Sequence, residues 1–293
     1  MNDKGFEFSF NWLFVLLVGI SIISLALYAS LQFSKTGETS YSSQVASQLG
    51  TILSPIETSV ESGTYYRVTL PQDTQIINRC DDNEAFGTQS LSVRVRTNSG
   101  WSQEGVPYSF ANKYVFSRSI NEGETVHFFV KPLELPYKVA DLIFMYSDPY
   151  CFVDPPRDVE EEITSLGLPL INITSSRSDC SKSSFVVCFE SDSKCNITID
   201  MNSDGIGGQA RQNTKSTNYY GPLLYGIIFS EKEVYDCQVS RLEKRAASLA
   251  GIYQEKATLV NSLGCSNSLE SELQTYRAHL LDDFTIIEIA NEA

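Results

Sequence analysis

The chain has 293 residues, with 36 Asp and Glu against 22 Lys and Arg, a formal charge of −14 at pH 7 and 42% hydrophobic content. So acidic a polypeptide repels a phosphate backbone, and no basic patch interleaved with aromatics offsets this, which argues against nucleic-acid binding. Seven cysteines without a CxxC pair leave no basis for a zinc-ribbon or thioredoxin plan.

In chain order, a tail over residues 1–7 precedes an uncharged run from Phe8 to Phe33. As a helix this run is about 39 Å long, more than the roughly 30 Å of a bilayer core. Gly19, Ser21 and Ser24 are small residues that spanning helices tolerate, and Trp12 and Tyr28 suit the two interfacial belts. The run reads as a transmembrane helix over 8–33. Cleavage as a secretory signal at Ser24-Leu25-Ala26 is the alternative, but apolar residues continue through Leu27, Tyr28 and Leu31, which favours retention as an anchor. Lys4 lies on one flank, and the other has only Lys35 before Arg67, a slight lean toward a cytoplasmic N-terminus and an extracellular C-terminal domain. Lys4 against Asp3 and Glu7 assigns −1 to the first 33 residues and hence −13 to the remainder.

Two resemblances attach to this region. Lys4-Gly5-Phe6 resembles the processing site of type IV prepilins, which implies cleavage after Gly5 and a filament-forming apolar stem. That family carries Glu at the fifth mature position, where this chain has Phe10, with Glu7 second. The box Phe6-Glu7-Phe8-Ser9-Phe10, followed by Trp12, is similar to the start of a group of archaeal single-pass membrane proteins with no assigned activity. The similarity extends to Pro149-Tyr150-Cys151-Phe152-Val153-Asp154-Pro155-Pro156 and to Leu223 through Ser230. It implies location and overall plan, not chemistry.

Residues 34–58 form a juxtamembrane segment in which Val45, Leu49 and Ile52 predict a short helix stopped near Pro55. An extracytoplasmic domain over 59–229 follows. "TYYRVTL", "TQIINRC", "SLSVRVRT", "KYVFSRS" and "VHFFVKP" predict strands separated by turns at "PQD", "DNEAFG" and "NEGE", hence an antiparallel sheet with one wet face. "VADLIFMYS", "PPRDVEEEITSLG" and "PLINIT" predict a β-α-β unit, and "SFVVCFES" with "CNITIDM" a hairpin. Residues 202–221 read as a long loop or ragged hairpin, and "GPLLYGIIFS" as a closing buried strand.

Ser230 and Glu233 have capping-box spacing at the start of a helical hairpin over 230–293. Its first helix has a seam of Tyr235, Val239, Leu242, Ala246, Leu249, Tyr253, Lys256, Val260 and Leu263, ended by Gly264. Leu269, Leu273, Tyr276, Leu280, Asp283, Ile287 and Ala290 repeat the spacing, which predicts an antiparallel pair. Association with another chain through these helices is the alternative use of the seam. The fold class expected is α+β.

Cys80, Cys151, Cys180, Cys188, Cys195, Cys237 and Cys265 all follow the apolar run, a distribution that fits disulfides in an oxidising compartment. An odd number leaves at least one outside intrachain pairs, and a local Cys188–Cys195 link is one option. Asn172-Ile173-Thr174 and Asn196-Ile197-Thr198 are glycosylation sequons. Asp200, Asn202 and Asp204 before Gly205 match the start of a calcium loop, but Arg211 stands where a bidentate Glu is wanted, and "NSDG" is itself a turn sequence. His127 and His279 sit in no catalytic motif, and no phosphate loop, dinucleotide fingerprint or HExxH is present. These features predict a membrane-anchored envelope protein that binds or positions a partner through its outer part. The alternatives are a pilin-like filament subunit and a tethered hydrolase using His127 with dispersed Asp, Glu and Ser.

Overall fold

The computed structural model describes residues 10–58, 65–83, 85–98, 100–189, 194–203, 205–212, 215–265 and 267–281. The tail 1–7, most of the Phe6–Phe10 box, and Asp283, Ile287 and Ala290 of the second seam lie outside the described residues. The chain is α+β: an N-terminal apolar helix, two mixed sheets and a C-terminal helical hairpin.

Helix α1 (Phe10–Thr58) is a single helix of 49 residues. The separate juxtamembrane helix expected from the sequence is therefore its distal half, which ends three residues beyond Pro55. Within α1, Trp12–Ser30 is long and apolar enough to cross a membrane, and none of it is buried. Ser42, Val45, Ala46 and Leu49, in contrast, are buried against the first sheet.

That sheet contains β1 (Tyr65–Asp81), β2 (Thr88–Thr97), β3 (Gly100–Trp101), β4 (Tyr108–Phe110), β5 (Tyr114–Phe116), β6 (Ile120–Glu134) and β7 (Lys138–Tyr146). Its order is β3-β2-β1-β6-β7-β5, with β4 also on β2; β5 runs parallel to β7 and the other pairs are antiparallel. "PQD" and "NEGE", expected as turns, instead lie within β1 and β6 at one irregular point. The pairing steps from Thr69↔Thr125 to Thr74↔Gly123, so the extra residues of β1 bulge where Gly123 adopts φ +146. Residues that make turns also make bulges, because both need polar, permissive backbone.

The expected wet face is also corrected. Phe129, Leu133, Leu142 and Phe144 point toward the second sheet, while Val126, Phe128, Val130, Ile143 and Met145 form a second cluster beneath α1. Gly105 lets the helix come close: a Cβ there would lie 2.7 Å from backbone atoms of Ser42 and Ser43. Val106 N–H donates to Ser43 Oγ at 2.8 Å beside this contact.

The second sheet contains β8 (Tyr150–Val153), β9 (Ile171–Thr174), β10 (Phe185–Cys188), β11 (Ile197–Met201), β12 (Gly207–Gln212) and β13 (Lys215–Tyr220), ordered β13-β12-β11-β10-β8-β9. The β-α-β unit is β8, α2 (Arg157–Leu166) and β9, with β8 and β9 parallel. Val139–Ser147, expected as its first strand, instead supplies β7 of the first sheet. Ser147-Asp148-Pro149 carries the chain across between the sheets. Pro156 caps α2 and Gly167 ends it in the left-handed conformation at φ +59, as the Pro and Gly of the sequence anticipate. β10 and β11 are parallel rather than a hairpin; the chain doubles back so that Asn196 N–H donates to Val186 O. Residues 202–221 include an ordered hairpin of β12 and β13.

"GPLLYGIIFS" forms helix α3 (Leu223–Phe229), not a strand, and all seven of its residues are buried. A short continuous apolar run satisfies either structure when every side is covered. Gly226 allows the helix onto Phe116, whose ring atoms would stand 2.8 Å from an added Cβ. The capping box is not made. Ser230 Oγ donates to Gly226 O at the end of α3, Glu231 takes the N-cap position of α4 (Lys232–Ser262), and Glu233 pairs with Lys215. α4 buries Tyr235, Val239, Leu242 and Ala246 of the expected seam, then turns Ala250, Gly251 and Ala257 inward while Tyr253 and Leu263 are exposed. α5 (Leu269–Leu281) packs back along α4 to complete the hairpin.

Among the described residues three disulfides form: Cys80–Cys237, Cys151–Cys180 and Cys188–Cys195, with Cα separations of 6.1, 5.7 and 6.0 Å. Cys265 is free and exposed. The first bond ties β1 to α4 and the other two lie at the second sheet.

Candidate functional site

Polar groups from both sheets and from the α3–α4 junction converge on a cleft of about 290 Å³. Arg118 comes from the β5–β6 connection, Tyr150 and Phe185 from the first residues of β8 and β10, and Ile197 from the first residue of β11. Gln212 ends the antiparallel β12, and Glu231 stands at the start of α4. The cleft therefore opens at the amino ends of the parallel strands. Ligands of open α/β sheets bind beyond the carboxyl ends, so this cleft is at the opposite end from that position.

Arg118 is the cleft's central charge. Its guanidinium lies 4.2 Å from the Phe185 ring centre, 3.6 Å from Asp148 Oδ2 and 3.7 Å from Glu231 Oε1. Glu231 Oε2 also accepts from Ser119 N–H at 3.0 Å and from the Ser119 hydroxyl. Burial pushes the Asp148 carboxyl above its ordinary range, with Arg118 opposing the shift. Burial likewise raises the Tyr150 phenol, next to the Asp148 charge. Gln212 Nε2 donates to Ile227 O at 2.6 Å and Ser230 O at 2.9 Å, fastening α3 to β12. The principal polar groups thus satisfy one another. The arrangement can clamp the two sheets and α4 together, and it presents an Arg flanked by two acids to whatever enters.

The two histidines lie apart from this cleft. His127 is nearly buried in β6, where Nδ1 lies 2.7 Å from Tyr65 Oη and the Tyr146 ring is 5.3 Å away between centroids. Burial, reinforced by Arg67, lowers its pKa. His127 does not line the cleft, and Ser119 is hydrogen-bonded to a carboxylate rather than to an imidazole base. His279 is exposed on α5.

Of the calcium candidates, Asp200 ends near Arg211, whose Nη2 donates to its Oδ2 at 2.9 Å across β11 and β12. Asn202 closes the intervening turn through its backbone, accepting from Gly205 N–H and donating to Gly207 O. Asp204 lies outside the described residues. Among the described residues no group of three His, Cys, Asp or Glu side chains is placed to hold a metal.

Sequence reasoning missed Arg241, which is fully buried in α4. It donates to the carbonyls of Phe86, Lys113 and Ala111 and to Gln238 Oε1, and lies 4.9 Å from the Tyr114 ring centre. Gln238 in turn donates to Val115 O, and Arg245 to Val139 O. The signal was present: Gln238, Arg241 and Arg245 recur at spacings of three and four, a polar stripe beside the apolar seam.

No protein-family model matches the chain, and no match was found among curated proteins or solved structures.

Proposed function

We propose that this chain is a single-pass, membrane-anchored protein whose disulfide-linked domain works at the outer surface of the cell, where it binds or positions another envelope protein. The observation that carries this reading is the division of labour along α1. Its exposed apolar stretch, Trp12–Ser30, continues without a break into Ser42–Leu49, which is part of the domain's own core. At 1.5 Å per residue, the twelve positions from Ser30 to Ser42 hold the domain about 18 Å above the lipid. An anchor built this way transmits position and orientation, which a flexible tether does not. Three disulfides support an oxidising compartment, and the acidic body suits solubility there. The partner contact is assigned to the far end of the α4–α5 hairpin, where Ile252, Leu259, Leu263 and Leu269 are exposed.

Two measurements on the full chain from native cells test the reading. The protein should stay with membranes through an alkaline carbonate wash and be released by detergent, and non-reducing thiol counting should find one free thiol per chain. Recovery in the aqueous fraction, or seven free thiols, refutes it.

A second reading, a pilin-like filament subunit, is favoured by the same uninterrupted helix, with an exposed apolar half and a half packed on a sheet. The mass of the native N-terminus decides between them. Processing after Gly5 supports the filament reading, and an intact start removes it.

A further inference from the structure

Two glycosylation sequons are present; Asn172 and Asn196 are both exposed, and what separates them is how each is held. On β9 the side chains alternate. Ile171 and Ile173 pack against the core, so Asn172 and Thr174 share the opposite face, where Asn172 is exposed. β9 is the edge strand of the second sheet and only four residues long. Asn172 Nδ2 lies 3.9 Å from Cys151 Sγ, a weak contact. Thr174 is partly exposed; its Oγ1 lies within hydrogen-bonding distance of Asp179 Oδ2 at 3.2 Å and Ser176 O at 3.3 Å, and it accepts from Ser176 N–H at 3.2 Å.

The other sequon is tied into the fold. Asn196 Oδ1 accepts from Val186 N–H at 2.8 Å while Asn196 N–H donates to Val186 O, so the residue grips β10 from both ends. Ile197 and Thr198 are buried, and Cys195 is held in its disulfide. Asn196 also borders the Arg118 cleft and the Ser- and Lys-lined hollow beside it.

We infer that Asn172 is an N-glycan attachment site and that Asn196 is not. The donor class is an oligosaccharide carried on a polyisoprenyl phosphate. The Asn172 Nδ2–C1 bond forms as the bond between C1 and the carrier's phosphate oxygen breaks; the phosphate leaves with the bonding pair and one amide proton passes to a base. The consequence is physical as well as chemical. A glycan beside β9 covers an otherwise open sheet edge, the kind of edge that invites strand pairing between molecules.

The inference rests on the proposed outer location, so the test reads both. Peptide mass spectrometry of the full chain from native membranes, run without reduction, gives the modification and the disulfides together. The expected result is a glycan mass on the Asn172 peptide, a bare Asn196 peptide and three intact disulfides. In cells expressing variants, N172Q should lose the gel-mobility shift completely and N196Q should keep it. A bare Asn172 with intact disulfides overturns the glycan inference and leaves the location standing. Free thiols throughout overturn the location and the glycan together, and glycan on Asn196 with none on Asn172 reverses the assignment.

Discussion

The two sheets solve the same problem by different means. The first has long strands, β1 and β6 running 17 and 15 residues, and apolar clusters on both faces. The second has strands of four to six residues and two disulfides at its parallel half, Cys151–Cys180 on β8 and Cys188–Cys195 on β10. A four-residue strand buries too little to hold itself, so covalent closure substitutes for area. The lesson is that the cysteines are not scattered evenly: two of the three bonds lie where strand length runs out, and the third ties β1 of the first sheet to α4.

That comparison breaks most sharply at the joint. In the chain-entropy treatment, closing the 157-residue separation of Cys80–Cys237 contributes about 5 kcal/mol. C80S/C237S is therefore expected to give the largest loss, measured as the denaturant midpoint of the detergent-solubilised chain. Next comes the shared core. Phe129 stacks on Phe144 at 4.8 Å between centroids and meets Tyr225 and Phe229 edge-on, so Phe129→Ala should cost about 3–5 kcal/mol and lower the stability of both sheets. If only the first sheet loses hydrogen-exchange protection, the two do not share one core.

The contrast is tested most directly by C151S/C180S. The 29-residue separation corresponds to about 3.6 kcal/mol, and the seven-residue Cys188–Cys195 to about 2.4 kcal/mol. In C151S/C180S, exchange should accelerate in β8, β9 and β10 while β1, β6 and β7 keep their protection. Uniform acceleration across both sheets would mean that the second sheet is not the weaker one.

Much of this architecture was legible. The uncharged run, the Pro-to-Gly span of α2 and the paired heptad-like spacings all stand as helices, because each has punctuation or a period of its own. What failed did so for physical reasons. "PQD" and "NEGE" are polar and permissive whether they turn the chain or bulge it, and only the register across β1 and β6 tells which. Leu223–Phe229 is apolar on every side, so no period marks it as a helix. Ser230 turned its hydroxyl back to donate to Gly226 O at the end of α3, instead of accepting from an amide of α4. The cleft was not legible at all: Arg118, Asp148 and Glu231 come from three separate connections and meet only because the sheets pack. Of the sequence candidates, Asp200 was drawn to Arg211 and His127 to Tyr65, local cross-strand partnerships that a linear motif does not encode.

The smallest expected effect concerns how the first sheet secures its edge without cysteines. Glu104 is held by Arg79, with Nη2 to Oε2 at 2.8 Å, by Ser92 Oγ at 2.5 Å, and by Arg94 at 3.5 Å. Donation from Arg79, joined by Ser92, holds the Glu104 carboxyl down at about 2, against the opposing pull of burial. A carboxyl lowered on folding stabilises the fold above its ordinary value of 4.5, and that contribution fades as pH falls toward 2. Because Arg79 is half exposed, the contribution at neutral pH should be below about 1 kcal/mol. The denaturant midpoint of wild type should therefore exceed that of E104Q slightly at pH 7, and the gap should close between pH 4.5 and 2. A gap that stays constant over that range would mean that Glu104 acts by shape alone. The first sheet's edge would then rest on packing, and the contrast with the stapled second sheet would be sharper still.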